Sequence, residues 1–409
     1  MPPPPYSPSP DAPSYSIDPR PSEMRLALTT RKTRSLTGDE TITVSGDNIA
    51  LAFSGQEHGA NVPTYGRHAL IQGEVALAST QNVLAVSLTL QGTLALTFGD
   101  GTANTTTFFS MSEPLWRAGP SAPTCQSMLP FKITMPDTHM NLGRTRVLPP
   151  TFNADLPGLP VVHVGCNYAL TVCVTKTRSL TPWNPKSTLN VPLMYHPRTR
   201  PHQAIIPSAF PFLSTIKSVP EEWHQVISTM STTSSAKIAP IECHLFVPEV
   251  QIYAITDTVP FFLQLSAPLS SLDAFLHPTP PTTSRLGRTK SFDPAARPAL
   301  RVSLVRQVAT SVRGESAIRT LVLGEGILRE LPPAAPTGSN PLRAPAEGCE
   351  ALNWEGEVRC RKDVKNGGFN ATGLVVKDFI RLLLVPPNPK TSPLLEHENL
   401  FSIRLVTDS

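Results

Sequence analysis

Apolar and polar residues alternate along much of the chain. Period two is the spacing of a strand with one face in a core, because successive side chains of an extended backbone point to opposite faces. We expect a strand with one buried face at each such set: Leu84, Val86, Leu88, Leu90, Leu94, Leu96 and Phe98; Leu170, Val172 and Val174; Phe261, Leu263 and Leu265; Leu300, Val302 and Leu304; Phe401, Ile403 and Leu405. Gly92 interrupts the first set.

Helical periodicity is weak, with only Glu221–Ile227 suggesting a turn or two. Alternating strands separated by Gly, Pro and Asn favour antiparallel sandwiches over a parallel α/β sheet. The predicted fold class is all-β, with two consecutive immunoglobulin-like antiparallel β-sandwich domains after a disordered N-terminal tail. A chain of 409 residues can provide two such cores.

Proline-rich stretches set the predicted boundaries. The chain has 45 prolines, far above ordinary usage, and they cluster. Residues 1–35 are expected to be a disordered tail, 36–201 the first sandwich, 202–235 a linker or hinge, and 236–409 the second sandwich. Long loops are expected at about 267–298 and 331–346 within the second domain.

Charge and cysteine usage narrow the class of protein. A net charge of +4, scattered along the chain, argues against nucleic acid as a partner. The six cysteines form no CxxC pair and no zinc-ligand spacing, which is typical of buried reduced thiols in the cytosol. We expect a cytoplasmic protein without a signal peptide or transmembrane helix, and only peripheral membrane association.

Sequence motifs for catalysis are lacking. The chain has no nucleophile elbow, P-loop or HExxH motif, and its histidines have no metal-ligand spacing. The sequence therefore predicts a protein that is not an enzyme, with no cofactor, no catalytic residues and no metal site.

A P-P-x-Y motif lies at the start of the chain, at Pro3, Pro4, Pro5 and Tyr6. Prolines favour a polyproline II helix before binding, and the tyrosine ring fills a pocket beside the aromatic groove of a WW domain. We expect Pro3, Pro4 and Tyr6 to bind a WW domain; the alternative is a proline-rich spacer. Ala12-Pro13-Ser14-Tyr15 lacks the first proline and is at best a weak second motif.

Two further sets of residues suggest binding. Arg288 lies three residues before Ser291, so Ser291 is a candidate phosphorylation site for a 14-3-3-type protein, against the alternative of a solvated basic loop. Arg144, Arg146, Arg198 and Arg200 are candidates for binding acidic or phosphorylated cargo tails, because a guanidinium fork matches phosphate and carboxylate. Alternatively, these arginines lie at exposed sheet edges and prevent aggregation there, and Arg198 and Arg200 have a structural role at the domain junction.

An ordered series of strings from about Ile42 to Asp408 resembles the arrestin-like family, the α-arrestins or arrestin-related trafficking adaptors of fungal type. Each string is weak alone, and their order carries the resemblance. In the first half they are Gly73–Leu77, Val83–Gly92, Leu129–Phe131, Leu148–Phe152, Tyr168–Val172 and Pro192–Pro201; in the second, Val250–Phe261, Leu323–Gly326, Trp354–Cys360, Val375–Ile380 and Leu405–Asp408. A long insertion around Ser270–Pro298 departs from the family pattern.

The resemblance implies an adaptor that links membrane cargo, a transporter or receptor, to a WW-domain HECT-type ubiquitin ligase for endocytosis or endosomal sorting. It would act at the plasma membrane or endosomes. One alternative is a ligase-independent sorting or signalling scaffold regulated at Ser291. A weaker one is a β-sandwich hydrolase or carbohydrate-binding module, which the scattered positions of the four tryptophans do not favour.

Overall fold

The computed structural model describes residues 40–99, 101–119, 124–141, 143–177, 185–203, 205, 212–277, 299–332 and 348–408. The predicted fold class is confirmed: the chain is all-β, with two consecutive sandwiches of mainly antiparallel sheets, compatible with an arrestin-like fold. No helix within these ranges is long and apolar enough to cross a bilayer.

The first sandwich has two sheets and a separate hairpin. Its sheets have the strand orders β1-β2-β4-β7 and β3-β12-β11-β5-β6, with β10 paired to β11, while β8 and β9 form the hairpin. The strands are β1 (Glu40–Ser45), β2 (Ile49–Gln56), β3 (Thr64–Tyr65), β4 (Leu70–Leu77), β5 (Val83–Phe98), β6 (Ala103–Arg117), β7 (Met128–Thr134), β8 (Thr138–Asn141), β9 (Arg144–Val147), β10 (Phe152–Leu156), β11 (Val162–Lys176) and β12 (Lys186–Tyr195).

The second sandwich follows the same plan. Its sheets have the orders β13-β14-β16-β20-β19 and β15-β23-β22-β17-β18, with β21 paired to β22. The elements are α1 (Phe212–Ser218), a 3-10 turn (Pro220–Glu222), β13 (Trp223–Met230), β14 (Ile241–Pro248), β15 (Ile252–Ala254), β16 (Thr258–Pro268), α2 (Leu269–Leu276), β17 (Ala299–Val312), β18 (Glu315–Glu325), β19 (Ile327–Leu331), β20 (Cys349–Arg359), β21 (Phe369–Ala371), β22 (Leu374–Val385) and β23 (His397–Val406).

Matching strands have matching roles in the two sandwiches. β3 pairs in parallel with β12, and β15 pairs in parallel with β23, so Tyr65 and Tyr253 occupy equivalent positions. Both rings are buried, and burial raises the pKa of each phenol. Their hydroxyls are satisfied differently: that of Tyr65 accepts from Gln56 Nε2 (3.1 Å), and that of Tyr253 donates to the Pro248 carbonyl (2.8 Å). The chain is thus two copies of one strand plan, and β19 is an added edge strand in the second.

Alternation explains the long central strands. In β5 the side chains of Val86, Leu88 and Leu90 are buried, as period two predicts, whereas Leu84 is only half-buried. Gly92 does not end a strand: β5 continues through it, with an irregularity in its pairing to β6 between Gly92 and Thr93. A Cβ at Gly92 would lie 2.7 Å from the Phe108 ring, so the ring requires a glycine there.

The segments between the predicted domains differ in part from expectation. The range 202–235, predicted to be a linker, contains α1 and β13, and β13 pairs with β14 along its length. Glu221–Ile227, considered for a helical turn, gives the 3-10 turn followed by strand. The predicted loop at 267–298 begins with the end of β16 and α2; its remaining residues 278–298 lie outside the described part, as do 333–347 of the second predicted loop.

Apolar residues of both sandwiches share one core cluster. Val308, Val312 and Leu374 of the second sandwich belong to the same buried cluster as Leu96 and the rest of the first core. An ideal Cβ on Gly373 would lie 3.5 Å from the Leu96 side chain, and the rings of Phe152 and Phe369 meet edge to face at 5.3 Å. Because this contact buries apolar surface, it holds the two sandwiches together.

The shared cluster predicts that Leu374→Ala will destabilise both sandwiches. Removing this fully buried side chain should cost about 2–5 kcal/mol of unfolding free energy. Leu382→Ala is the matched control, because Leu382 lies on the same strand but inside the second core. Hydrogen exchange should accelerate in β5 only for Leu374→Ala; unchanged exchange in β5 would contradict a shared core.

Candidate functional site

The junction between the sandwiches is built from an ion pair on adjacent strands. In β22 every second side chain is buried, whereas in β17 five consecutive residues, 302–306, are buried. The buried positions of each strand include one charged residue, Arg306 in β17 and Asp378 in β22. The two residues are directly opposite in the register. Arg306 Nε donates to Asp378 Oδ1 (2.7 Å) and Nη2 donates to Oδ2 (3.3 Å), with both residues at least 95 % buried.

Asn366 extends this pair to the first sandwich. Arg306 Nη2 also donates to the Asn366 carbonyl (2.7 Å), and Asn366 Nδ2 donates to the Thr151 carbonyl (2.8 Å). His196 Nδ1 lies 3.2 Å from Asn366 Oδ1; since an amide oxygen only accepts, Nδ1 carries the proton. The network joins the second core to Thr151, just before β10, and to His196, just after β12.

A second set of contacts joins the exit of β12 to the end of β23. Thr199 N donates to Thr407 Oγ1 (2.8 Å), Thr407 Oγ1 donates to the Thr199 carbonyl (3.2 Å), and Asp408 N donates to that carbonyl (3.0 Å). Arg200 Nε lies 4.0 Å from Asp408 Oδ2. The segment that follows β12 in the first sandwich is therefore hydrogen-bonded to the residues that follow β23 in the second.

A third contact lies at the loop between β10 and β11. Arg319 of β18 donates from Nη2 to the Pro160 carbonyl (2.7 Å). Gly158 has φ of 137°, and a Cβ there would lie 2.4 Å from Arg319 Nε. Only glycine leaves room for the guanidinium, so Gly158 allows Arg319 of the second sandwich to contact this loop of the first.

The four arginines predicted to bind cargo lie on two elements. Arg144 and Arg146 are on β9 of the separate hairpin, whereas Arg198 and Arg200 follow β12. Arg198 Nη2 is 3.8 Å from Glu57 Oε1, and both side chains are more than half exposed, so that pair contributes little stability. No contact within the described part of the chain joins the two pairs of arginines.

The β8-β9 hairpin places Arg146 beside His139. Burial, followed by the Arg146 charge, lowers the pKa of His139, which favours a neutral ring at neutral pH. His139 also contacts the Phe108 ring at a centroid distance of 5.3 Å. Arg146 Nε and His139 Nδ1 are buried and have no hydrogen-bond partner among the described residues. Arg144, in contrast, is exposed to solvent.

The remaining predicted site residues lie outside the described part: Pro3, Pro4 and Tyr6 of the WW motif, and Arg288 and Ser291 of the phosphorylation site.

All six cysteines are free, but only Cys166 and Cys243 are buried, where burial raises the pKa of each thiol to about 12. The other four are half-buried, which corrects the prediction of buried thiols throughout.

Sequence reasoning missed the network around Arg306. A signal was present, because Arg306 continues the apolar row of Val302 and Leu304, and Asp378 lies within an otherwise apolar row. Nothing in the sequence shows that two residues 72 positions apart lie opposite each other.

Comparison with known proteins adds no assignment: no family model matches the chain, and neither does any curated protein. Among the described residues, no group of three or more His, Cys, Asp or Glu side chains is arranged to hold a metal ion.

The buried pair predicts a strong asymmetry between single and double substitutions. Arg306→Met should lower the unfolding free energy by roughly 3–5 kcal/mol, because it leaves the Asp378 carboxylate buried without a cation. Arg306→Met/Asp378→Leu should recover most of that loss. Denaturant unfolding measures both; a double variant no more stable than the single one would contradict this account.

Proposed function

We propose that this protein is an arrestin-like adaptor that links membrane cargo to a WW-domain HECT-type ubiquitin ligase, for ubiquitination and endocytosis or endosomal sorting. It works in the cytoplasm, at the periphery of the plasma membrane or endosomes. The sandwiches bind cargo, the N-terminal motif binds the ligase, and the protein itself performs no chemistry on either.

One observation carries the resemblance furthest: three of the strings that resemble the family meet at the junction of the two sandwiches. They are Leu148–Phe152, Pro192–Pro201 and Leu405–Asp408. The backbone amide of Tyr195 donates to Thr151 Oγ1 (2.8 Å), and Thr151 N donates to the Tyr195 carbonyl (2.9 Å). The Thr199 and Thr407 contacts join the last two strings. These strings are distant in sequence but meet at one junction, and this supports the resemblance to the arrestin-like family better than isolated matches do.

A fourth string connects to the same place. Tyr168, which opens the string Tyr168–Val172 in β11, is buried and donates its hydroxyl hydrogen to the Pro149 carbonyl (2.5 Å). Its ring contacts the Tyr195 ring at 5.2 Å. The two tyrosines of these strings therefore pack against each other near the junction, and Tyr168 also forms a buried hydrogen bond there.

The ligase arm of the proposal rests on Pro3, Pro4 and Tyr6. The motif precedes the first described strand, which starts at Glu40. Binding through a short proline-rich segment leaves both sandwiches available for cargo, which is what an adaptor needs.

The cargo arm rests on Arg144 and Arg146. They lie on a hairpin outside the two main sheets of the first sandwich, and Arg144 is open to solvent. A guanidinium pair of this kind suits the acidic or phosphorylated cytosolic tails of transporters and receptors.

The ligase arm predicts that Tyr6→Ala weakens capture by ligase WW domains. Losing the ring that fills the WW pocket should weaken binding at least about tenfold, the equivalent of roughly 1.4 kcal/mol. Tyr15→Ala is the matched control, because Tyr15 lies in the same proline-rich segment but lacks the first proline of the motif. Pull-down of the full chain with immobilised WW domains measures both.

Equal recovery of the wild type and Tyr6→Ala would remove the N-terminal motif from the mechanism. That result would favour a scaffold that works without a ligase. If capture were lost only with Tyr15→Ala, the WW domain would be binding the segment Ala12–Tyr15 and not Pro3–Tyr6.

The cargo arm predicts that Arg144→Ala/Arg146→Ala weakens binding of a doubly phosphorylated acidic peptide by about tenfold. Arg301→Ala/Lys362→Ala is the matched control, since it removes two exposed cations from the second sandwich. Fluorescence anisotropy with the full chain gives both affinities. Equal weakening by the two double variants would mean that net charge, and not the hairpin, governs binding.

A further inference from the structure

Within the described part of the chain, a short helix covers part of the outer face of one sheet in the second sandwich. This sheet has the order β13-β14-β16-β20-β19, and α1 packs across part of it. The Phe212 ring of α1 stacks on Phe262 at 4.1 Å and contacts Trp223 edge to face at 4.7 Å. These rings form a small apolar cluster outside the main core, and among the described residues no other element covers the sheet beyond it.

Beside α1 the open part of this face forms a groove of about 1630 Å³. This volume exceeds the range of roughly 300–1000 Å³ that is usual for small-molecule pockets. Pro260, Phe261 and Gly356 contribute to its lining, together with Trp223 from β13 and Ile327 from β19. A Cβ on Gly356 would lie 2.5 Å from the Phe261 ring, which is buried in the core beneath the groove, so this position requires glycine.

One edge of the groove offers an exposed apolar side chain. Ile327 is 71 % exposed. Within the sheet, β19 pairs with β20 and is the terminal strand. Glu221 and Glu222 directly precede β13, at the opposite edge of the sheet, so an extended segment that meets these residues and also buries Ile327 must cross the strands.

Carboxylates dominate the charge of the groove. Its lining has two guanidinium groups, Arg329 and Arg359, and six carboxylates: Glu221, Glu222, Glu249, Asp257, Glu355 and Glu357. Both arginines already have carboxylate partners. Arg329 pairs with Glu355, and Arg359 Nη2 lies 3.1 Å from Glu357 Oε1.

The four carboxylates that do not pair with Arg329 or Arg359 determine which charge a ligand of the groove should have. Glu249 Oε2 is 3.1 Å from His224 Nδ1, and Asp257 Oδ2 accepts from the Ala254 amide at 2.8 Å. Glu221 and Glu222 are exposed and have no ion-pair partner among the described residues. A ligand that meets these two side chains gains most if it is positively charged.

We propose that this groove binds an extended cationic peptide of a partner protein, with at least one apolar side chain between arginines or lysines. The apolar residue would pack on Ile327 at one edge of the sheet, and the cations would face Glu221 and Glu222 at the other. This surface is separate from the Arg144–Arg146 hairpin and has the opposite charge preference. The proposal does not depend on the adaptor function, so failure of the WW or phosphopeptide experiment leaves it standing.

The test uses the full chain and a short fluorescein-labelled peptide of alternating arginine and leucine, read by fluorescence anisotropy. Peptides of alternating arginine and serine, and of alternating glutamate and leucine, are the ligand controls. The arginine–leucine peptide should bind at least about tenfold more tightly than either. Glu221→Lys/Glu222→Lys should weaken it by about tenfold or more, and Ile327→Asn should weaken it by several fold.

Matched variants separate the groove from general effects. Glu315→Lys/Glu350→Lys makes the same charge change at exposed positions that do not line the groove, and Ile318→Asn replaces an isoleucine that is 64 % exposed on β18. Both should bind like the wild type.

Three outcomes would overturn the proposal. They are equal weakening by groove and control variants, binding of the arginine–serine peptide as tightly as the arginine–leucine peptide, and no binding by the wild-type chain, which is the result expected if another segment of the protein fills the groove.

Discussion

The structure depends on the apolar contact between its two sandwiches. Surfaces between domains are usually more polar than cores and allow relative motion. Here Val308, Val312 and Leu374 enter the cluster of the first core, so separating the sandwiches would expose side chains that are almost completely buried. Burial of apolar area has little directional preference, and it therefore holds the halves together without fixing their orientation.

The orientation is set by polar groups around that contact. The Arg306–Asp378 pair is internal to the second sandwich, but Asn366 carries its hydrogen bonds to Thr151 and His196. Each of these bonds has a narrow geometric tolerance, and a buried group that lost its partner would leave a large desolvation cost. The pair need not add net stability, since buried ion pairs often only balance their desolvation. Its effect is to give one arrangement of the two sandwiches a lower free energy than slightly different arrangements.

The two copies of the strand plan have diverged in ways that matter for binding. In the first sandwich, the β8-β9 hairpin carries Arg144 and Arg146 outside the main sheets. In the second, α1 and β19 are additions, and together with β20 they border an acidic groove. The proposed adaptor function would benefit from such a difference, because surfaces of opposite charge favour different partners.

Period two located β5, β11, β16, β17 and β23 from the sequence. β5, β11 and β22 alternate between buried and half-buried positions over their whole length or nearly so, and such strands are readable because the alternation depends only on local backbone geometry. Prediction was poorest between domains. The strand β13 was assigned to a linker because a proline-rich stretch precedes it, and α2 is a helix of eight residues, shorter than any segment whose helical period can be read with certainty.

The amino-acid sequence by itself determined the all-β class, the buried row of the alternating strands such as β5 and β11, and the short motifs that suggest partners, since all of these depend on neighbouring residues. Only the tertiary structure decided that Arg306 lies opposite Asp378, that Asn366 reaches Thr151, and that Glu221, Ile327 and Glu357 border one groove. Such contacts depend on strand register and on the packing of one sheet against another. Those are properties of the whole chain, and no local pattern encodes them.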